Sequence, residues 1–170
     1  MLTDVTTWYL EMRSPTQLRS VAPPSEHARV ARVEIPLAEF NRFLYVTVGG
    51  PWYWYERLTW DDARWRDYVN RPDLETWVLY VSGTPAGYVE LEAQAEENIE
   101  VAYFGLIEKF IGKGLGGYLL SAGVLRAWDL GARRVWVHTC TLDGPHALPN
   151  YLARGFRIYD EKTEQIDVPV

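Results

Sequence analysis

The sequence predicts an α+β fold with a mixed, mostly antiparallel sheet. Stretches rich in β-forming residues precede a clear hairpin between residues 75 and 94. After the hairpin, a buried strand leads through a glycine-rich segment into an amphipathic helix and then into a second buried strand, so a right-handed crossover between two central parallel strands is expected. No internal repeat or long linker divides the 170 residues, and a single domain over residues 1–170 is therefore expected.

The first part of the chain alternates strand and helix patterns. The expected elements are a strand at 5–12, a strand or ambiguous short piece at 28–35, a helix at 36–48 and a helix from Thr59 to about Asn70. Thr59 and Asp62 have the spacing of a capping box at the start of the last helix. Pro72 is expected to end it, because proline cannot continue a helix.

The hairpin consists of two β-rich arms joined by a turn that we expect at residues 82–87. Its second arm alternates, which places an apolar set on one face and a partly acidic set on the other. The two sets are Val89, Leu91 and Ala93, and Tyr88, Glu90 and Glu92. An alternating acidic face is usually solvated, so Glu90 and Glu92 are expected at the surface.

The second part of the chain has the pattern of a strand–helix–strand unit followed by a short helix and a last strand. The expected elements are a buried strand at 99–107, glycine-rich residues 111–117, a helix from Leu115 that ends before Gly131, a buried strand at 134–140, a short helix capped by Asp143 and ended by Gly155, and a strand from Phe156 into a polar tail.

Composition indicates a folded protein without a nucleic-acid surface. Aromatic residues make up 14% of the chain and charged residues 24%, with both signs well mixed. The formal net charge is −6, and the basic residues do not gather into one block, so nucleic acid is not an expected partner. The single cysteine, Cys140, excludes an intrachain disulfide, and three scattered histidines do not indicate a metal site.

No segment has the pattern of a membrane anchor or a signal peptide. Asp4 lies where a signal peptide would have a basic start followed by an apolar run. The longest segment without a charged side chain, Thr76 to Val89, has 14 residues and is interrupted by Gly83 and Pro85, so it is too short to span a bilayer. We therefore expect a cytoplasmic protein that does not bind membranes.

The glycine-rich segment lies where a strand passes into a helix. Gly112, Gly114, Gly116 and Gly117 leave the amides of the first helical turn open to an anion, and a diphosphate fits such a place. One or two glycines would be enough for a tight turn alone. Four glycines in six residues favour the phosphate site.

Two other phosphate motifs compete for this segment. Gly112, Gly114 and Gly117 match the GxGxxG pattern of dinucleotide-binding domains, but the acid expected at the end of the next strand is absent. A Walker loop is excluded, because Lys113 is followed by glycine instead of Ser or Thr. A dinucleotide site thus remains only as a weaker alternative.

The block from Glu100 to Phe156 resembles the GNAT superfamily of acetyl-CoA-dependent N-acetyltransferases. In that family the glycine segment follows the pattern Arg or Gln, x, x, Gly, x, Gly or Ala, which falls here on residues 111–116. The resemblance rests on the strand at 99–106, on this glycine segment, and on Ala147, Tyr151, Gly155 and Phe156. Ile111 stands where the family has Arg or Gln, and Gly144 stands where its later pattern has Asn.

The resemblance implies that acetyl-CoA is the cofactor and that an acyltransferase of this kind moves its acetyl group to an amine by direct attack. The backbone at the end of the central strand would pair with the pantetheine arm, and the glycine segment would hold the diphosphate. The implied cofactor-binding residues are Phe104, Gly105, Leu106, Ile111, Gly112, Lys113, Gly114, Gly116 and Gly117.

Tyr151 occupies the position of the general acid in this resemblance. A phenol with a pKa of about 10 can share or deliver a proton to a thiolate with a pKa of about 8.5. Periodicity alone is equally consistent with a core tyrosine that packs under Phe156.

Glu100 is the expected base, because a carboxylate in a buried strand needs a partner or a chemical task. Its side chain is expected on the face shared by Ala102, Phe104 and Leu106. Glu90 and Glu92 are alternative bases. His138 could relay a proton, although a lone histidine in an apolar strand is usually a hydrogen-bonded core residue.

The acceptor is expected to be a small-molecule or peptide amine, and the acidic net charge weakly favours a cationic one. The aromatic run from Trp52 to Tyr55, with Trp60 and Trp65, lies where the family builds its acceptor pocket, although at least half of these residues are expected in the core. A homodimer is compatible with such a domain. The alternative function is a catalytically silent CoA-binding or regulatory module of the same fold, which Ile111 and Gly144 would suit.

Overall fold

Seven strands and four α-helices follow one another in the computed structural model, which describes residues 1–169. The strands are β1 (Leu2–Met12), β2 (Ala28–Arg32), β3 (Leu74–Val81), β4 (Thr84–Ala93), β5 (Asn98–Leu106), β6 (Arg134–Cys140) and β7 (Arg157–Asp167). The helices are α1 (Ala38–Gly49), α2 (Asp62–Val69), α3 (Leu115–Asp129) and α4 (Ala147–Ala153). No helix in this part of the chain combines the length and the apolar composition needed to cross a membrane.

All seven strands belong to one sheet in the order β2-β3-β4-β5-β6-β1-β7. β5 and β6 are parallel, and the other neighbouring strands are antiparallel. This topology confirms the predicted mixed sheet with a central parallel pair. It also rules out the dinucleotide alternative, because that domain is built on a mostly parallel sheet.

The two parallel strands separate after a short paired stretch. β5 and β6 pair only from Asn98 with Arg134 to Glu100 with Trp136. Beyond this point β5 continues to Leu106 and β6 to Cys140 without pairing to each other. The carboxyl halves of the two strands therefore form the sides of a cleft in the middle of the sheet.

A β-bulge in β5 changes which side chains share a face. Leu91 pairs with Val101 and Glu90 with Tyr103, so Ala102 has no partner on β4. The extra residue reverses the alternation, because side chains of a strand alternate with a period of two. Glu100 consequently shares a face with Tyr103, and the expected face with Ala102, Phe104 and Leu106 was wrong.

Helices cover the two faces of the sheet with different partners. α3 packs on the face that carries Val89, Leu91, Ile99 and Val101, and this is the larger core cluster. The approach is close, since a Cβ on Gly123 would lie 3.2 Å from the Val89 side chain. α1 packs on the opposite face, which carries a second apolar cluster of Leu44, Val48, Val78 and Tyr88.

Three local signals in the sequence were assigned to the wrong position. α2 begins at Asp62 with Asp61 as its cap, whose Oδ1 accepts a 2.8 Å hydrogen bond from the Arg64 amide, so Thr59 forms no capping box. The hairpin turn consists only of Ser82 and Gly83, both with positive φ (49° and 82°), so the second strand begins earlier than expected, at Thr84.

The third signal is Asp143, which does not cap α4. Its carboxylate accepts hydrogen bonds from the Cys140 amide and the Thr139 hydroxyl, and it thereby holds the turn after β6. α4 begins later, at Ala147. The expected helix stops are confirmed, because Gly131 (φ 88°) follows α3 and Gly155 (φ 107°) follows α4.

The last strand lies at an edge of the sheet. β7 pairs with β1 along almost its whole length, from Leu2 with Asp167 to Glu11 with Arg157. On its other side, β1 pairs with β6 over its carboxyl half only, from Thr7 to Met12. All residues of β7 are exposed, so this strand contributes hydrogen bonds but little core.

Candidate functional site

The cleft between β5 and β6 has a volume of about 600 Å³ and brings together most of the predicted site residues. The residues of the predicted set that line it are Glu100, Phe104, Gly105, Leu106, Ile111, Gly116 and Tyr151. Gly112, Lys113 and Gly114 are exposed on the loop before α3, and Gly117 lies in the first turn of that helix. The predicted set thus forms one continuous region around the cleft and the amino end of α3.

The loop before α3 combines a backbone requirement with free hydrogen-bond donors. Gly112 (φ 84°) and Gly114 (φ 76°) adopt left-handed angles that favour glycine, so the tight-turn interpretation is correct for these two. Within residues 1–169, the amides of Gly112, Lys113 and Gly114 donate no hydrogen bond, and no side chain caps the helix. Free amides at the positive end of a helix are suited to an anion.

The next two glycines permit a close approach of α4 to α3. A Cβ on Gly116 would lie 3.4 Å from Asn150 Nδ2, and a Cβ on Gly117 would overlap the guanidinium of Arg154. Nε of Arg154 is buried and has no hydrogen-bond partner in the described part of the chain. Side-chain donors from α4 and its carboxyl end therefore converge on the first turn of α3.

Tyr151 lies on α4 and is both a packing residue and a cleft residue. Its ring centroid is 5.8 Å from that of Phe104 and 5.9 Å from that of Phe156, and only 5% of the residue is exposed. Burial raises the pKa of the Tyr151 phenol well above its usual value, and the charge of Asp143 acts in the same direction. The phenol therefore stays protonated, which is the state of a hydrogen-bond donor.

Glu100 lies directly opposite Glu92 across the β4–β5 ladder. Two like charges in this position repel each other. Gln94 relieves the repulsion, because its Nε2 lies 2.9 Å from Glu92 Oε1 and 2.9 Å from Glu100 Oε2. Arg71 also donates to Glu92 at 2.9 Å. Glu92 is therefore occupied by an ion pair, whereas Glu100 keeps one oxygen directed elsewhere.

That oxygen faces His138 of β6. His138 Nδ1 lies 3.5 Å from Glu100 Oε1, with the His138 side chain 50% exposed and the Glu100 side chain 13% exposed. Hydrogen bonding to Glu100 raises the pKa of His138, and this outweighs the opposing effect of burial. The expectation of a core histidine was wrong, since His138 lines the cleft.

Glu90 has a different environment from the solvated face that was expected. It is fully buried, and Arg57 Nη1 lies 3.2 Å from Oε2 and 3.3 Å from Oε1. Tyr68 Oη also donates to Glu90 at 2.7 Å, and Asn41 Nδ2 donates at 3.2 Å. All its hydrogen bonds go to protein groups, so Glu90 is a structural residue and a poor candidate for the base.

Arg57 is the residue that sequence reasoning missed. Its guanidinium lies 4.0 Å from the ring centroids of Tyr68 and Tyr103, and three further aromatic rings surround it within 6 Å. Burial disfavours its charge, but Glu90 more than offsets this and holds the pKa of Arg57 above its usual value. The many aromatic residues near Arg57 in sequence were the available signal.

The other wall of the cleft is formed by the loop between α1 and α2. Trp52, Tyr53, Trp54 and Glu56 line it, whereas Trp65 is buried against Tyr45. This agrees with the expectation that part of the aromatic run belongs to the core. Among residues 1–169, no group of three or more His, Cys, Asp or Glu side chains is placed to hold a metal ion.

The sequence matches the family model "Acetyltransferase (GNAT) family" over residues 38–156. No curated protein matches it. The family match covers the two helices before the hairpin, α4 and most of the residues that line the cleft.

Several solved structures share the fold. A GCN5-related N-acetyltransferase from Kribbella flavida is 21% identical with a TM-score of 0.69, over 94% of this chain and 57% of that one. A GNAT family acetyltransferase from Elizabethkingia anophelis with acetyl-CoA bound is 19% identical with a TM-score of 0.58, over 80% of each chain.

An aminoglycoside acetyltransferase from an uncultured soil metagenomic sample, in complex with trehalose, is 12% identical with a TM-score of 0.62, over 78% of this chain and 90% of that one. This chain spans 57%, 60% and 65% of the length of three of the structural relatives, the Kribbella flavida protein among them.

Proposed function

The chain belongs to the acetyltransferase (GNAT) family, and from this premise we propose that it transfers an acetyl group from acetyl-CoA to an amine. The observation that carries the proposal is the cleft between β5 and β6. It joins a proton-accepting pair, a protonated phenol and a loop of free amides in one continuous region. These are the groups that acetyl transfer to an amine requires.

The residues around the cleft fit the diphosphate and the pantetheine arm of acetyl-CoA, which supplies an activated acetyl thioester. The free amides of Gly112, Lys113 and Gly114 suit its diphosphate. Beyond Glu100, β5 has no partner on its β6 side within the described residues, so the backbone up to Leu106 is open to the amides of the pantetheine arm. An elongated ligand with polar backbone-like groups can add to such an edge.

We assign proton acceptance to Glu100 and His138 acting as a pair. An alkylammonium has a pKa of about 10.4 and must lose a proton before it can attack. The imidazole of His138 is half exposed, its pKa is raised by the hydrogen bond to Glu100, and Glu100 orients it through Nδ1. Tyr151, held between Phe104 and Phe156, donates a hydrogen bond to the departing sulfur.

The acceptor that suits the cleft best is a small cationic amine. Glu56, Glu92, Glu100 and Asp143 line it, and Arg57 is already neutralised by its ion pair with Glu90. Exposed aromatic rings beside these carboxylates favour an ammonium group further. One structurally similar protein is described as an aminoglycoside acetyltransferase, and an amine-bearing acceptor of that kind agrees with this class.

The proposal is tested by measuring thiol release from acetyl-CoA over a panel of amines. We expect release with at least one small cationic amine and none with neutral or anionic acceptors. We also expect acetyl-CoA to bind with micromolar affinity, about −8 kcal/mol, and NAD not to bind. Binding without thiol release for every amine would instead support the silent CoA-binding module, and binding of NAD alone would contradict the proposal.

A further inference from the structure

We propose that Arg154 is a binding residue for the diphosphate of acetyl-CoA, delivered to the first turn of α3 from the carboxyl end of α4. The inference rests on the proposed function, because it assigns one more residue to the same cofactor. It goes beyond the glycine loop, since it names a side chain that lies more than 35 residues away in sequence.

The first observation is the contact between Arg154 and Gly117. The guanidinium Nη1 occupies the space that a Cβ of Gly117 would take. Gly117 lies inside α3 and has no positive φ, so the helix itself does not require glycine there. Alanine would favour the helix by up to about 1 kcal/mol. The glycine is therefore explained by the guanidinium that it admits.

The second observation is that one nitrogen of Arg154 lacks a hydrogen-bond partner. Nε of Arg154 is buried without a hydrogen bond in the part of the chain that the structure describes. A buried donor that stays unpaired costs free energy, because it has lost its water without gaining an acceptor. A phosphate oxygen at the amino end of α3 would supply the guanidinium group, whose Nη1 lies against that turn, with an acceptor and a countercharge.

The third observation is the chemistry around the same turn. The amides of Gly112, Lys113 and Gly114 are free, and the positive end of the α3 dipole lies beside them. Ile111 contributes no charged or polar side chain here. Besides the exposed Lys113 of the loop, Arg154 is thus a cation placed against the first turn of α3 itself, and Asn150, one turn earlier on α4, adds an amide near Gly116.

This position also connects cofactor binding with the proposed acid. Tyr151 and Arg154 are three residues apart, so they lie on neighbouring positions of one short helix and its cap. A phosphate held by Arg154 would fix the end of α4 against α3. The hydroxyl of Tyr151 would then be positioned by the same contact that holds the diphosphate.

The test is calorimetric binding of CoA, dephospho-CoA and pantetheine to the wild-type chain and to Arg154→Met, which keeps an unbranched side chain without charge. We expect the substitution to lower the affinity for CoA and for dephospho-CoA by about 10- to 100-fold, the range for one charge-assisted hydrogen bond. Pantetheine has no phosphate, so its affinity should not change. If only CoA is weakened, Arg154 contacts the 3′-phosphate and the proposal is overturned.

Two further variants separate binding from folding. Gly117→Ala should weaken CoA as Arg154→Met does, because the methyl group displaces the guanidinium, while the thermal midpoint without ligand stays the same or rises. Arg157→Met removes an exposed arginine three residues away and should leave CoA affinity unchanged. Equal CoA affinity in the wild type, Arg154→Met and Gly117→Ala would overturn the proposal, and so would loss of pantetheine binding together with CoA binding.

Failure of this proposal can be distinguished from failure of the proposed function. If Arg154→Met binds CoA normally and the wild type releases thiol with amines, only the role of Arg154 is wrong. If the wild type binds CoA through Arg154 but releases no thiol, only the transferase function is wrong. If the wild type does not bind CoA at all, both are wrong.

Discussion

The ring and the hydroxyl group of Tyr151 have different roles, and a substitution that removes only the hydroxyl can separate them. Its ring packs between two phenylalanines, and its hydroxyl donates to no protein group among residues 1–169. We expect Tyr151→Phe to lower kcat by about 100-fold or more while acetyl-CoA affinity and the thermal midpoint stay close to wild type. Steady-state kinetics and calorimetry measure these quantities, and an unchanged kcat would leave Tyr151 as a packing residue only.

The pairing of Glu100 with His138 predicts a specific change in the pH profile. The imidazole accepts a proton only when it is neutral, so the rate should rise as pH passes the raised pKa of His138. Glu100→Gln removes the charge that raises this pKa, so we expect a lower maximal rate and an acidic limb shifted to lower pH. The measurement is kcat/KM against pH.

The matched control for this variant is Glu26→Gln. Glu26 lies 3.6 Å from Nε2 of His27 at an exposed position far along the chain from the cleft residues. Removing this carboxylate should change neither the maximal rate nor the acidic limb of the pH profile. A limb shifted to higher pH in Glu100→Gln would indicate that Glu100 itself is the base, with His138 outside the proton path.

The buried ion pair of Arg57 and Glu90 predicts a large effect on stability. Arg57→Met leaves the Glu90 carboxylate buried without its cation, which typically costs about 3–5 kcal/mol. Urea denaturation measures the loss. Arg133→Met is the control, because Arg133 and Glu97 form an exposed pair at 3.7 Å whose removal should be nearly neutral. Equal midpoints for the two variants would contradict the structural role of Arg57.

At the level of elements, the loop before α3 can be tested against a second turn with similar geometry. Gly114→Val should weaken acetyl-CoA by at least about tenfold, because a β-branched residue at φ 76° distorts the cradle of amides. Gly83→Val in the hairpin turn, at φ 82°, carries comparable strain away from the cleft. It should lower the unfolding midpoint and leave binding intact.

Calorimetry on both variants decides between the two interpretations of the loop. Equal acetyl-CoA affinities in Gly114→Val and Gly83→Val would mean that the glycines of the loop serve only a turn.

The elements themselves were largely predictable, because strand and helix periodicity are local properties. The strand–helix–strand unit and the helix stops at Gly131 and Gly155 follow from residues next to one another in the sequence. The bulge at Ala102 was not predictable, since it is defined by pairing with β4. That one inserted residue decides the face of Glu100.

Burial of the acidic residues on β4 was unpredictable for the same physical reason. Alternation in β4 indicates that Glu90 and Glu92 share a face, but their environment depends on what covers that face. Arg57 reaches Glu90 from a loop 33 residues away. The Glu100–His138 contact likewise arises only because β5 and β6 are neighbours in the sheet.

At the scale of the whole molecule, different elements supply the two sets of groups that line the cleft. α3 and α4, which belong to the carboxyl-terminal half of the sequence, carry the anion-binding groups and Tyr151. α1 and the loop after it supply the aromatic and acidic wall. The separation of β5 from β6 is what allows the two sets to meet through the sheet.

Strand β7 carries backbone N–H and C=O groups along an edge to which no other strand of the described chain is added. Such an edge is a template for growth by a strand of a second copy. Six of its eleven residues are charged, namely Arg157, Asp160, Glu161, Lys162, Glu164 and Asp167. In a cross-β stack, identical charges would lie about 4.8 Å apart and repel one another. The charged side chains of β7 therefore act as gatekeepers against fibril formation.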